Sequence, residues 1–173
     1  MSTGFHPSAT GVTAEFDAAE VSILRSLADM ILGLVEPGGT SEDPLERALS
    51  VGSSEAPEDP ALARLFPSAY ADDEQAAEFR RFTEAGLRDG KRADAQVVRE
   101  TAVVGTIALT AEQGRAWMRA LNDVRLTLGT RLEITEDVHD ELAGMPEDDP
   151  RYPAFVTYDW LTYLQDTLVR ALW

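Results

Sequence analysis

The sequence predicts an all-α domain of five to eight helices, with room for one short two-stranded β piece. Three observations lead there. Apolar residues recur at three- and four-residue intervals along most of the 173 positions. Helix-start signals, either a lone Asp or Thr or the pair Asp-Pro, stand just ahead of those stretches. Only GVTAEF and VVGTIALT read as extended chain, and each runs directly into a helix cap.

Residues 1–10 are small and polar and are expected to be disordered, leaving 11–173 as a single helical domain. Asp17 caps the first helix and Glu20, three residues on, completes a capping box, while Phe16 and Val21 take the spacing of a hydrophobic staple. Leu24, Leu27, Ile31 and Leu34 then mark one face, and Pro37, Gly38 and Gly39 end a helix expected over Ala18 to Val35. Residues 36–60 form an acidic, Pro/Gly-rich connection with short helices. One starts at Asp43 and Pro44 and is stopped by Gly52; another starts at Asp59 and Pro60 and is stopped by Pro67.

A longer helix begins near Asp73, with Phe79, Phe82 and Leu87 facing inward and Gly90 as its end; KRADAQVVRETA follows as a separate short helix. VVGTIALT reads as a strand that can pair with GVTAEF. Thr110, with Gln113 three residues later, caps a long helix marked by Trp117, Leu121, Val124 and Leu128, for which Gly129 is the expected break. A helical turn starts at Thr135, GMPEDDP is a loop, and PAFVTYDWLTYLQDTLVRALW is the final helix, with Phe155, Leu161, Leu164, Leu168 and Leu172 inward.

Charge and composition narrow the function. Acidic residues number 31 against 15 basic ones, a formal charge of −16. Such a chain repels nucleic-acid phosphates and anionic membranes, so direct nucleic-acid or membrane binding is not expected. There is no cysteine, which removes disulfides, thiolate catalysis and thiol redox sensing by this chain. MSTGFHPSATGV has neither the basic nor the apolar region of a secretory signal, and no apolar run approaches the ~20 residues needed to span a bilayer. The expected location is the cytoplasm, and no cofactor is implied.

The stretch ALNDVRLTLGTRLEI carries the most informative polar residues. On a helical wheel, Trp117, Leu121, Val124, Leu128 and Leu132 make one stripe, and Met118, Asn122, Leu126 and Gly129 make a second. Two apolar sides predict a central helix covered on both, with Asn122 buried. Asn122, Asp123, Arg125 and Arg131, joined by Asp159 of the final helix as partner to Arg125, then form either a structural polar network or a site. The network is favoured, because no base–nucleophile pair accompanies these groups. A second cluster, Arg80, Arg81, Arg88, Lys91 and Arg92 within FRRFTEAGLRDGKR, is the candidate partner-binding surface, set against a solvated face neutralised by Glu78, Glu84 and Asp89. Glu136, His139 and Asp140 make a poor zinc set and read as a solvated acidic helix start; neither catalytic nor metal-binding residues are assigned.

Four segments in order, AEFDAAEVSILRSL, DPALARLFPSAYADDEQAAEFRRFTEAGLRDGK, ALNDVRLTLGTRLEITED and YDWLTYLQDTLVRAL, resemble the actinobacterial family catalogued as domain of unknown function 2017. The resemblance spans roughly Phe16 to Leu172. It implies a mainly helical cytoplasmic protein without an established enzymatic activity. Family genes often neighbour those for the ClpS adaptor, a metallopeptidase, a sulfur-carrier protein and a cysteine synthase, and some members are described as transcriptional or oxidative-stress regulators. The expected function is therefore a non-enzymatic regulator acting through protein contacts, in transcription or oxidative-stress control linked to cysteine synthesis. Its charge points to a sigma factor or RNA polymerase as partner, rather than to DNA. The alternatives are an accessory factor of Clp-dependent proteolysis, touching ClpS or the Clp unfoldase, and an enzyme or binder of a small anionic metabolite. Homo-oligomerisation is left open.

Overall fold

The computed structural model describes residues 2–36 and 55–173. Among them are three strands, β1 (His6–Ser8), β2 (Gly11–Phe16) and β3 (Gly105–Thr110). Six helices accompany them: α1 (Ala18–Leu34), α2 (Pro60–Leu65), α3 (Asp73–Thr101), α4 (Ala111–Arg131), α5 (Val138–Gly144) and α6 (Tyr152–Leu172). The expected helix at Asp43 and Pro44 lies outside the described residues.

The strand–cap–helix signals have their expected outcome. Asp17 accepts from the Glu20 amide while the Glu20 carboxylate accepts from the Asp17 amide, and Thr110 and Gln113 repeat the exchange ahead of α4. Asp59 accepts from the Ala61 and Leu62 amides at the start of α2. β2 and β3 pair antiparallel, Val12 opposite Leu109 and Ala14 opposite Ile107. All four side chains are buried on one face, as the two-residue period of a strand requires. Trp117, Leu121 and Val124 are buried too, and α4 packs against α1, α2, α3, α6 and both long strands. It is the central helix.

Four expectations are corrected. The residues taken as disordered are ordered from Ser2 onward: β1 pairs with β2, making the sheet three-stranded, and Phe5 is buried. Phe5 meets Phe16 and Trp117 edge-on, at centroid distances of 5.9 and 5.5 Å, and Trp117 stacks on Phe16. Burying that ring is worth roughly 1.5–3 kcal/mol, and three tethers to α6 support it. The Phe5 amide donates to Thr167, the Tyr163 hydroxyl donates to the Thr3 carbonyl, and the Trp160 indole donates to Ser2. Gly4 permits this course: its φ is +79°, and a Cβ there would stand 2.7 Å from Thr167 Oγ1.

The second correction is that α3 runs unbroken through Gly90 for 29 residues. A helical glycine costs about 1 kcal/mol, less than the packing of Ala95 and Val98 in the core beyond it. The third concerns its inner face. Phe79, Phe82 and Leu87 are 42%, 65% and 50% exposed, while Ala76, Arg80 and Glu84 are buried. Arg80 and Glu84 tolerate burial because Arg80 donates to the Phe66 carbonyl and Glu84 accepts twice from Arg88. Lastly, α4 does not break at Gly129. It runs to Arg131 and is closed by Glu133 just beyond, whose φ is +53°. There the Ile134 amide returns to the Gly129 carbonyl and the Glu133 amide to Thr130, a Schellman closure with glutamate in glycine's usual place.

Candidate functional site

The second stripe of α4 is not covered by another helix. Met118, Asn122, Leu126 and Gly129 instead line two open grooves that share Asn122, and Asn122 is exposed rather than buried. The expectation that this stripe is covered by packing is corrected, because what lies over it is solvent. One groove, of about 480 Å³, is enclosed by Arg64, Arg125, Glu133 and Tyr158. The other, of about 410 Å³, lies between α3 and α4, beside Gly86, Leu87, Gly90 and Lys91.

The polar group predicted around Asn122 separates into four local arrangements. Asp123 is only 4% exposed and pairs with Lys91 at 2.7 Å. Burial raises the Asp123 carboxyl above its ordinary value, and the Lys91 ammonium draws it back only in part. Arg125 does not meet Asp159. Its guanidinium donates to Thr162 Oγ1 at 3.1 Å and Gln165 Oε1 at 2.6 Å and lies over the Tyr158 ring. Arg131 reaches Asp59 at 3.4 Å, and Asp159 lies 3.1 Å from His139 Nδ1. Asn122 makes no hydrogen bond among the described residues. Helical spacing placed these groups on one stretch of chain but could not say which neighbour each would find. Lys91, Thr162 and Gln165 come from α3 and α6, 32 or more positions away.

The basic cluster is largely turned inward. Arg80 is buried, and Arg88 bonds Glu84 and the Glu36 carbonyl. Arg92 donates to the Leu32 carbonyl, and Lys91 is held by Asp123. Arg88 and Lys91 also lie over the Phe66 ring, at 4.8 and 5.7 Å, and Arg81 lies 5.8 Å from the Phe82 ring. The four-residue spacing Arg80–Glu84–Arg88 was the available signal that this face would neutralise itself. Among the exposed charges of α3, such as Glu78, Arg81 and Asp89, stand three large apolar side chains, Phe79, Phe82 and Leu87, with Tyr70 edge-on to Phe79 at 5.6 Å.

These features define a small, mainly helical protein with a three-stranded sheet and open grooves along its central helix. The chain belongs to the family described as Domain of unknown function (DUF2017), whose model matches residues 2–172. It is similar to the oxidative stress regulators AosR of Mycobacterium bovis and Mycobacterium tuberculosis, being 34% identical to each over 88% of its own length and 78% of theirs. No solved structure matches the chain. No helix among the described residues is long and apolar enough to cross a membrane.

Proposed function

We propose that this protein is a non-enzymatic regulator of the oxidative-stress response that works by contacting another protein. The observation carrying this reading is its kinship, across most of both chains, with proteins named oxidative stress regulators. The outward face of α3 supports a contact mechanism. Tyr70, Phe79, Phe82 and Leu87 place large apolar side chains in solvent beside a groove, and aromatic residues so placed dominate protein interfaces. A formal charge of −16 directs that contact to a protein such as a sigma factor or RNA polymerase, in cytoplasmic transcription control of cysteine synthesis, rather than to DNA. Without cysteine the chain receives an oxidative signal from elsewhere.

Crosslinking and affinity purification from the native host test the reading. Recovery of a sigma factor or polymerase subunits, lost in a Phe79→Ser/Phe82→Ser variant, is expected. Recovery of ClpS or the Clp unfoldase instead would replace it with a role in proteolysis. A tight, sequence-specific gel shift by the purified protein at moderate salt would overturn the charge argument.

A further inference from the structure

We propose that the groove bounded by Arg64, Asn122, Arg125, Tyr158 and Glu133 binds a small organic monoanion, a carboxylate whose far end is neutral or cationic. This inference is independent of the protein-contact reading.

It begins from the cations. Among the described residues, seven arginines are matched to carboxylates: Arg80 and Arg88 to Glu84, Arg99 to Asp29, Arg119 to Asp94, Arg131 to Asp59, Arg151 to Asp149 and Arg170 to Asp166. Arg125, like Arg25 and Arg92, forms no ion pair among the described residues. Both of its hydrogen-bond acceptors, Thr162 and Gln165, are neutral, and it is partly buried over Tyr158. Arg64 lines the same groove and makes no ion pair with any described residue. Two unmatched positive charges thus share one cleft in a molecule of charge −16. The other groups beside them are donors as well. Neither the Asn122 amide nor the Tyr158 hydroxyl has a hydrogen-bond partner among the described residues. Convergent, unused donors in a concave site of about 480 Å³ suit an anionic group, and the volume falls within the range of small-molecule sites.

The other end of the groove has opposite polarity. Thr130, Glu133 and Ile134 line it where α4 terminates, so the Glu133 carboxylate and the negative end of the helix dipole face the ligand together. Glu133 lies just past the last turn of α4, eight positions after Arg125. Leu126 and Gly129 lie between them, and a Cβ at Gly129 would come within 3.6 Å of the Tyr158 ring, so the missing methyl leaves the floor open. A carboxylate therefore seats at Arg125, Arg64 and Asn122, a short aliphatic body lies along the floor, and a second negative charge at the Glu133 end is rejected.

Three probes of one chain length separate these terms: butyrate, 4-aminobutyrate and succinate, titrated at constant ionic strength into the purified protein and followed by amide chemical shifts in NMR. Saturable shifts confined to α4, Arg64 and Tyr158 are expected, with 4-aminobutyrate and butyrate binding at least threefold more tightly than succinate. Arg64→Gln, on an exposed side chain, should weaken butyrate at least threefold, and Arg125→Gln at least tenfold. Glu133→Gln should remove the discrimination against succinate. Non-saturating shifts, succinate binding as tightly as butyrate to the unaltered protein, or affinity unchanged in folded Arg64→Gln and Arg125→Gln proteins would each overturn the proposal. None of these outcomes bears on whether a protein partner is recovered from the host.

Discussion

Asp123 keeps a carboxylate where water scarcely reaches, and its one ion pair does not make up for that burial. A carboxyl raised in the folded state adds stability fully below its ordinary value of 3.8 and loses that contribution as pH rises through the folded value. Asp123→Asn abolishes this dependence. The stability of the variant relative to the unaltered protein should therefore increase from pH 3.8 toward neutrality, measured by urea unfolding across that window; a flat difference would contradict the raised carboxyl. Glu133 offers a second residue-scale test. A non-glycine residue in the left-handed region pays roughly 1–2 kcal/mol, partly recovered through the smaller entropy of its unfolded state. Glu133→Gly should raise stability by about 0.5–1 kcal/mol in thermal unfolding. The sequence concealed this position because the glycine that seemed to end the helix, Gly129, stands four residues earlier, inside it.

At the scale of the element, helix starts were legible and helix faces less so. Caps are local: Asp17, Asp59 and Thr110 satisfy amides two or three residues away, so their chemistry is written in adjacent letters. The orientation of α3 is not local. Periodicity put Phe79, Phe82 and Leu87 inside, but Arg80 and Glu84 occupy that face because the Phe66 carbonyl and Arg88 receive them. Asn122 misled in the same way: its stripe is apolar enough to seem covered, yet no element lies across it. The candidate site was therefore legible as a stretch of α4, while its walls, supplied by Arg64 and Tyr158 from α2 and α6, were not. Gly86 and Gly90 extend the argument. A Cβ at either would meet nothing within 4 Å. Gly90→Ala should stabilise the protein by about 0.5–1 kcal/mol in chemical denaturation. If a partner rests on this face of α3, the same change should weaken its recovery.

For the molecule as a whole, the aromatic cluster of Phe5, Phe16 and Trp117 joins the sheet to the central helix, and the Trp117 indole is anchored on Thr101 at the end of α3. Phe5→Ala leaves a cavity at that junction and should destabilise by about 3–5 kcal/mol in urea unfolding. A loss under 1 kcal/mol would mean the first residues are held by β1 pairing alone. The predominance of helix and the pairing of GVTAEF with the segment ahead of Thr110 were readable because each depends on patterns of six residues or more. β1 is three residues long and takes its order from α6, more than 150 positions distant, which no periodicity can encode.

That distance has a consequence during synthesis. Ser2, Thr3 and Phe5 leave the ribosome well before their hydrogen-bonding partners Trp160, Tyr163 and Thr167. Until then β1 and the Phe5 ring can meet β2, Phe16 and Trp117 but lack the α6 tethers, and the loop those tethers close is long, with a separation of 162 positions for Phe5 and Thr167. The nascent chain can assemble the sheet, α1, α3 and α4 beforehand, but its first strand remains unlatched until translation delivers α6.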